Sequence, residues 1–254
     1  MRLAVLAYSG MVHTATIMCL FNEILECLVK GWKVDYRFYV GLGLPKVRNT
    51  VVADFLADEF DDLVFIDDDV SWKPFTLQKL LSYPVDFVAG VYPMRQDPIR
   101  FPTNIFLDRP WLQGDPEHGL LEVAFVPGGF LRLTRKCLDA MSWYYAKDRG
   151  YAEAATKSGR AVDLFPQLHR DDQMYGEDIS FCMLWRDMGG KVWVDPDMEL
   201  YHTGHKCFEG TLADWFRANQ PKPAQQVNNL DALTGAGQVN MSLEEALSIL
   251  RSAA

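Results

Sequence analysis

The stretch Val64-Phe65-Ile66-Asp67-Asp68-Asp69-Val70 constrains this chain more than any other. Its apolar run favours a buried strand, and an unpaired carboxylate inside such a strand is costly. The chain must therefore leave the interior at Asp67, which makes the acids the carboxyl end of a strand. Open α/β sheets bind their ligands at that edge. Side chains alternate along extended backbone, so Asp67 and Asp69 point the same way. Two carboxylates so placed suit a hard divalent cation, Mg²⁺ or Mn²⁺, which commonly holds phosphates through only one or two protein carboxylates. The plainer alternative is an acid-rich strand-end turn with no ligand.

The pattern around the acids predicts strands alternating with helices. Leu3 to Tyr8 reads as a first buried strand, and residues 13–30 as a helix with an apolar stripe of Ile17, Leu20, Phe21, Ile24, Leu25 and Leu28. Lys33 to Val40 predicts a second strand, Gly41 to Pro45 a loop, Arg48 to Phe60 a helix, and Leu63 to Ile66 the strand that delivers the acids. A helix from near Pro74 through Leu81 and a strand over Phe87 to Val91 follow. This alternation argues an α/β fold, a mixed, mostly parallel sheet flanked by helices. Pro93, Pro98, Pro102, Pro110 and Pro116 then confine residues 93–125 to loops and short edge strands.

Strand character resumes over Ala124 to Leu133, interrupted by Gly128-Gly129. Helices are expected over 134–146 and 178–188, the second ended by Gly189-Gly190, with a short strand over Val192 to Val194. The polar stretch 148–173 reads as a mobile segment over a site. Residues 219–240, rich in Pro, Gln, Asn and Gly, read as a linker, and Ser242-Leu243-Glu244-Glu245 has capping-box spacing for a last helix. The expected organisation is one domain over 1–218, a linker over 219–240 and a helix within 241–254.

A net charge of −9 argues against broad non-specific nucleic-acid binding, which relies on a basic surface. Arg95, Arg100, Arg109, Arg132, Arg135 and Lys136 could still line a local basic channel, although solvated surface is the plainer reading. Five scattered cysteines with no CxxC pair suit a reducing cytoplasm. No apolar stretch approaches the length needed to span a bilayer, so a soluble cytoplasmic protein is the expectation.

Chemistry-bearing residues recur later. Glu177-Asp178 stands just before a helix, where acids favour the dipole; a carboxylate there could equally take a proton from an acceptor hydroxyl. His202 follows a late strand and could complete a metal site with the first acids. His205 and Cys207 alone do not supply the four ligands of structural zinc. Gly128-Gly129 is either a strand bend or a place where a bulky ligand meets the backbone.

Taken in order, Asp67-Asp68-Asp69, Gly128-Gly129, Gly176-Glu177-Asp178 and His202 resemble the motifs of GT-A glycosyltransferases, particularly family 2-like inverting enzymes, with Arg48-Asn49 similar to the basic element ahead of the DxD strand. The likeness spans roughly residues 1–210. It implies a GT-A (Rossmann-like) fold and a metal-dependent transfer of sugar from a nucleotide-diphosphate sugar, such as a UDP-sugar, to an acceptor hydroxyl. Carried over, it makes Asp67, Asp69 and His202 ligands of Mn²⁺ or Mg²⁺. Asp67 and Asp68 would contact the donor, Asp178 would be the base of an inverting displacement, and Glu177 would bind the acceptor. Gly128 and Gly129 would shape the acceptor side, Ala7, Tyr8 and Ser9 would lie near the nucleobase, and Arg48 near the phosphates. Small stand-alone proteins of this kind resemble bacteriophage glycosyltransferases, whose acceptor is a glycan or a hydroxymethylated nucleobase in DNA. Two readings compete: a nucleotidyltransferase on a similar scaffold, and a non-catalytic nucleotide-sugar binding protein. The glycine-rich basic loop expected of a nucleotidyltransferase is not matched by Ala7-Tyr8-Ser9-Gly10-Met11.

Overall fold

A computed structural model describes residues 1–41, 43–105, 114–115 and 117–219. The expected linker beyond its first residue, Asn219, the expected last helix, and Arg109 lie outside these residues. The chain opens with β1 (Arg2–Ala7), α1 (Thr14–Val29), β2 (Asp35–Val40), α2 (Leu44–Leu56) and β3 (Asp62–Asp67). The apolar runs of β1 and β3 are buried on both faces, as parallel strands between helices must be. β4 (Val70–Trp72), α3 (Thr76–Ser82) and β5 (Phe87–Ala89) follow, then the short β6 (Asn104–Ile105) and β7 (Gly114–Asp115). β8 (Leu120–Phe125), β9 (Phe130–Thr134) and α4 (Arg135–Arg149) lead into two hairpins, β10 (Gly150–Ala152) with β11 (Arg160–Val162), and β12 (Leu168–Arg170) with β13 (Gln173–Tyr175). α5 (Glu177–Asp187), β14 (Val192–Val194), β15 (Leu200–Thr203), β16 (Cys207–Gly210) and α6 (Leu212–Asn219) complete the described chain.

A nine-stranded sheet has the order β2-β1-β3-β9-β5-β14-β8-β6, with β7 also paired to β8. β1, β2 and β3 are mutually parallel, β9 opposes both β3 and β5, β14 runs with β5, and β8 opposes its neighbours β14, β6 and β7. Only β8 and β9 therefore run against the rest, which is the mixed, mostly parallel α/β sheet the alternation predicts. Apolar clusters fill both faces, one beneath α2, α4 and α5, the other beneath α1 and α3. A small sheet, β16-β15-β4, stands apart and carries the chain just after the acid triplet.

Several boundaries move for identifiable reasons. α2 begins at Leu44 rather than Arg48, because Pro45 fits the first turn of a helix, where its absent N–H is not needed. The carbonyls at the end of α2 are held by Arg135, whose guanidinium donates to Phe55, Leu56 and Phe60 oxygens at 3.0, 3.3 and 2.8 Å. Arg132 is buried, ion-paired to Asp62 at 2.6 Å and hydrogen-bonded to the Tyr83 carbonyl at 3.1 Å. Lys136 pairs with Asp86 at 2.8 Å. Arg132 and Arg135 are thus structural, which removes them from the expected basic channel.

α1 also turns differently. Its buried face is Thr16, Leu20, Glu23 and Cys27, whereas Phe21, Leu25 and Leu28 of the expected stripe are more than half exposed. The polar members of that face have partners: Thr16 Oγ1 donates to the Asp68 carbonyl at 3.1 Å, and Glu23 accepts from Gln78 Nε2 and Leu77 N at 3.1 and 3.3 Å. Satisfied buried polar groups outrank apolar periodicity here. The polar stretch 148–173 is built into the two hairpins rather than standing as a mobile cover. Asn49 fastens it to α2, donating to Asp163 at 2.8 Å and accepting from Leu164 and Phe165 N–H at 2.9 and 3.1 Å.

Candidate functional site

β3 ends at Asp67, and the backbone turn after it is held from two sides. The Asp68 carbonyl accepts from His13 N at 2.8 Å, at the entrance to α1, and the Asp69 carbonyl accepts from Thr203 N at 2.9 Å. The second bond belongs to the small sheet. β4 and β15 pair antiparallel with His202 opposite Val70, one residue beyond Asp69. This register brings His202 Nε2 to 3.4 Å from Asp69 Oδ1.

The far nitrogen of His202, Nδ1, lies 2.8 Å from the Pro93 carbonyl. A carbonyl only accepts, so neutral His202 carries its proton on Nδ1 and turns the Nε2 lone pair toward Asp69. Burial holds the His202 pKa below the usual imidazole value, which keeps that lone pair free near neutrality. A carboxylate oxygen and an imidazole nitrogen facing each other form a donor pair that suits Mn²⁺. The guanidinium of Arg95 pairs with the other oxygen of Asp69.

Asp67 does not join this pair. Its Oδ2 accepts from the buried Tyr92 hydroxyl at 2.9 Å, and its Oδ1 lies 3.6 Å from Arg48 Nη2. Among the described residues no set of three or more His, Cys, Asp and Glu side chains forms a metal cluster. The same finding leaves His205 and Cys207 without a zinc cluster among those residues. Of the three residues expected to hold a cation, Asp69 and His202 face each other, while the Asp67 carboxylate is engaged by Tyr92 and Arg48. Burial and the neighbouring Asp67 charge drive the Tyr92 pKa well above its ordinary value, so its hydroxyl remains a donor. Tyr92 also meets His202 edge to face, with ring centroids 4.8 Å apart.

Arg48 was expected at the phosphates, but it is only 2% exposed. Its guanidinium lies 5.0 and 5.7 Å from the ring centroids of Phe65 and Phe165, and its Nη1 donates to the Gly128 carbonyl at 2.9 Å. Its Nε, buried without a hydrogen bond, stands 3.8 Å from Glu177 Oε1. One buried cation thus lies between the acid that ends β3 and the acid that opens α5. Burial and the adjacent Asp178 raise the Glu177 pKa, against the pull of Arg48.

The two glycines have a packing reason. A Cβ on Gly128 would stand 2.7 Å from the Arg48 guanidinium carbon, and one on Gly129 would stand 2.1 Å from Asp67 Oδ2. The atoms that approach this backbone closely belong to the protein itself, so neither glycine is open to an acceptor as expected.

These residues surround a cleft of about 480 Å³. Asp67, Asp68 and Asp69 line it together with Asp178, His202, Arg95, Tyr92 and Tyr8. Asp68 has its pKa raised by burial and by the Asp67 charge. Asp178 opens α5, where its Oδ1 accepts from Ile179 N at 2.8 Å. Glu177 is not among the lining residues; it turns back toward Arg48. Of the three residues expected near a nucleobase, Tyr8 lines the cleft and is 66% exposed, while Ala7 is buried in β1 and Ser9 Oγ accepts from Met11 N at 3.3 Å. Tyr92 and the placement of Arg95 escaped the sequence reading; the only available signal was their position just beyond the end of β5.

No protein-family model matches the chain, and no curated protein matches it in sequence. Among solved structures, the crystal structure of A197 from STIV is similar over 84% of this chain and 90% of that chain, with 16% identity and a TM-score of 0.49. Among the described residues no helix is long and apolar enough to cross a membrane.

Proposed function

We propose that the cleft transfers a glycosyl group from a nucleoside-diphosphate sugar to an acceptor hydroxyl. One observation carries this reading: acids from the end of β3, an acid from the start of α5 and an imidazole from β15 share one open cleft at the carboxyl end of the sheet. Asp69 and His202 would hold Mn²⁺ or Mg²⁺, and the exposed guanidinium of Arg95 stands beside them. A bound cation supplies positive charge for the diphosphate oxygens as the glycosidic bond breaks. Such a cation fits the site because two acceptor atoms face each other 3.4 Å apart, an arrangement that a positive charge between them relieves.

The chain's own groups account for the rest. Tyr8 at the rim offers an aromatic face for a nucleobase. Asp67, fixed by Tyr92 and Arg48, presents a carboxylate of defined orientation to ribose or sugar hydroxyls. Asp178, on the cleft wall, takes the proton of the attacking hydroxyl, and inversion at the anomeric carbon follows from direct displacement. Glu177 serves in this reading as a counter-charge that positions Arg48, rather than as an acceptor ligand. The acceptor is a glycan or a hydroxymethylated nucleobase; Arg95, which lines the cleft, is the cation to vary in deciding between them.

The test is a screen of nucleotide-sugars with Mn²⁺ for donor hydrolysis and thermal stabilisation. Ligand-linked stabilisation grows with concentration over the dissociation constant, so weak donors register. Wild type should be stabilised and turn over a donor, while Asp69→Ala should melt normally and do neither. Full activity in Asp69→Ala removes the metal reading. Release of pyrophosphate instead of a nucleoside diphosphate selects the nucleotidyltransferase, and binding without turnover across donors and acceptors selects the non-catalytic module.

A further inference from the structure

β2 is one edge of the nine-stranded sheet, and its outer backbone has no strand beside it among the described residues. Its side chains divide sharply. Asp35 and Arg37 face one side, where Asp35 pairs with Arg2 at 2.7 Å. Tyr36, Phe38 and Val40 face the other and are 51%, 42% and 56% exposed. Their register partners in β1 are Leu3, Val5 and Ala7, and the first two pack in the apolar cluster beneath α1. The exposed trio therefore lies on the α1 side of the sheet.

α1 continues the same surface. One of its flanks is committed to β4 and α3 through Cys19, whose thiol donates to the Trp72 carbonyl at 3.1 Å, and through Glu23. Helical spacing puts Phe21, Leu25 and Leu28 away from that flank, toward β2 and solvent. They are 57%, 60% and 54% exposed. At about 200 Å² for a large side chain, the six residues present roughly 600 Å², most of the ~800 Å² per partner that specific interfaces bury.

We infer that this face is the contact between two copies of the chain, related by a two-fold axis through β2. The occupant follows from the edge itself. Unpaired strand backbone is satisfied by another strand, and an antiparallel β2–β2 pair is self-complementary and closed. The register is also constrained. Residues directly opposite each other share a face, and centring the axis on Arg37 would oppose two guanidinium groups. Centring it on Phe38 places Phe38 against Phe38, Tyr36 against Val40 and Arg37 against Tyr39, with no like charges opposed. The two α1 helices then meet above the joined sheets and cover Phe21, Leu25 and Leu28. The site cleft does not take part, so this inference stands or falls independently of the transferase reading.

Light scattering and sedimentation of the full chain test it. The expected mass is twice 28.9 kDa. Phe38→Lys on the strand and Phe21→Glu on the helix should each weaken the dimer at least about tenfold, a change of ~1.4 kcal/mol. In a Cys207→Ser background, Phe38→Cys should form a disulfide-linked dimer on mild oxidation. A monomeric wild type overturns the inference, as does a dimer that tolerates both charge substitutions. A monomer that floats with phosphatidylcholine–phosphatidylglycerol vesicles also overturns it and assigns the face to lipid.

Discussion

Gly129→Ala probes how the cleft is held in shape. Nothing about the Gly129 backbone excludes alanine, since its φ is not in the left-handed region; the conflict is one of space. The new Cβ would stand 2.1 Å from Asp67 Oδ2 and 2.4 Å from both Asp67 Cγ and the Tyr92 hydroxyl oxygen. β9 cannot retreat, because Asp67 N donates to the Gly129 carbonyl and Gly90 N to the Phe130 carbonyl at 2.9 and 3.0 Å, on its two sides. Two outcomes are open. Either the site stays overpacked, at about 1–3 kcal/mol, or Asp67 swings away and leaves the buried Tyr92 hydroxyl without its acceptor, also about 1–3 kcal/mol. At roughly 2–4 °C per kcal/mol for a chain of this size, Tm should fall by about 2–12 °C. Affinity for UDP with Mn²⁺ should fall with it, because Asp67 loses its orientation. Scanning calorimetry and isothermal titration measure both. Gly43→Ala is the control, since its Cβ meets nothing within 4 Å. In a Tyr92→Phe background the cost of Gly129→Ala should shrink, because one of the atoms in conflict is gone. If Gly129→Ala melts with wild type and binds UDP as tightly, the claim that the strand clamps Asp67 is wrong.

Two further outcomes follow from the same geometry. Asp58 is bound by Lys157 and Arg2, at 2.5 Å from each, and these partners lower its pKa to about 2. A depressed carboxylate contributes stability above its unfolded pKa and loses it as pH falls through the folded one. Wild type should therefore lose Tm between pH ~4 and ~2 more steeply than Asp58→Asn, and parallel curves would contradict the assignment. Asp178→Asn should reduce sugar transfer by about 10²–10⁴-fold while UDP–Mn²⁺ binding holds. Retention of the donor's anomeric configuration in the product would remove Asp178 as the base.

The long strands of the central sheet, the α/β class and the strand end at the acids were legible because each rests on local physics, whereas β4 and the short hairpin strands β10 to β13 were not. Buried strands need apolar runs, helices need spacing and caps, and a run such as Val64-Phe65-Ile66 cannot continue into three acids while buried. Gly128-Gly129 and Glu177-Asp178 were visible as unusual residues at element ends. Their partners were not. Arg48 read as a phosphate ligand because a cation ahead of an acidic motif suggests one; only the fold showed it enclosed between Phe65 and Phe165, holding two acids apart in charge. α1 read as burying Phe21, Leu25 and Leu28 because periodicity cannot see that Thr16 and Glu23 have polar partners on β4's approach and α3.

By itself, then, the order of residues determined that the strand ends where the acids begin, since burial of unpaired charge is costly; the fold decided their depth, leaving Asp67 and Asp68 partly exposed and burying Asp69 beside Arg95 and His202. Which of them meets an imidazole was decided by tertiary pairing. His202 lies far along the chain, and it reaches Asp69 because β15 pairs with β4 in one register rather than the next. A slip of one residue in that pairing would turn the imidazole to the opposite face, so the site depends on a strand alignment that local sequence does not encode.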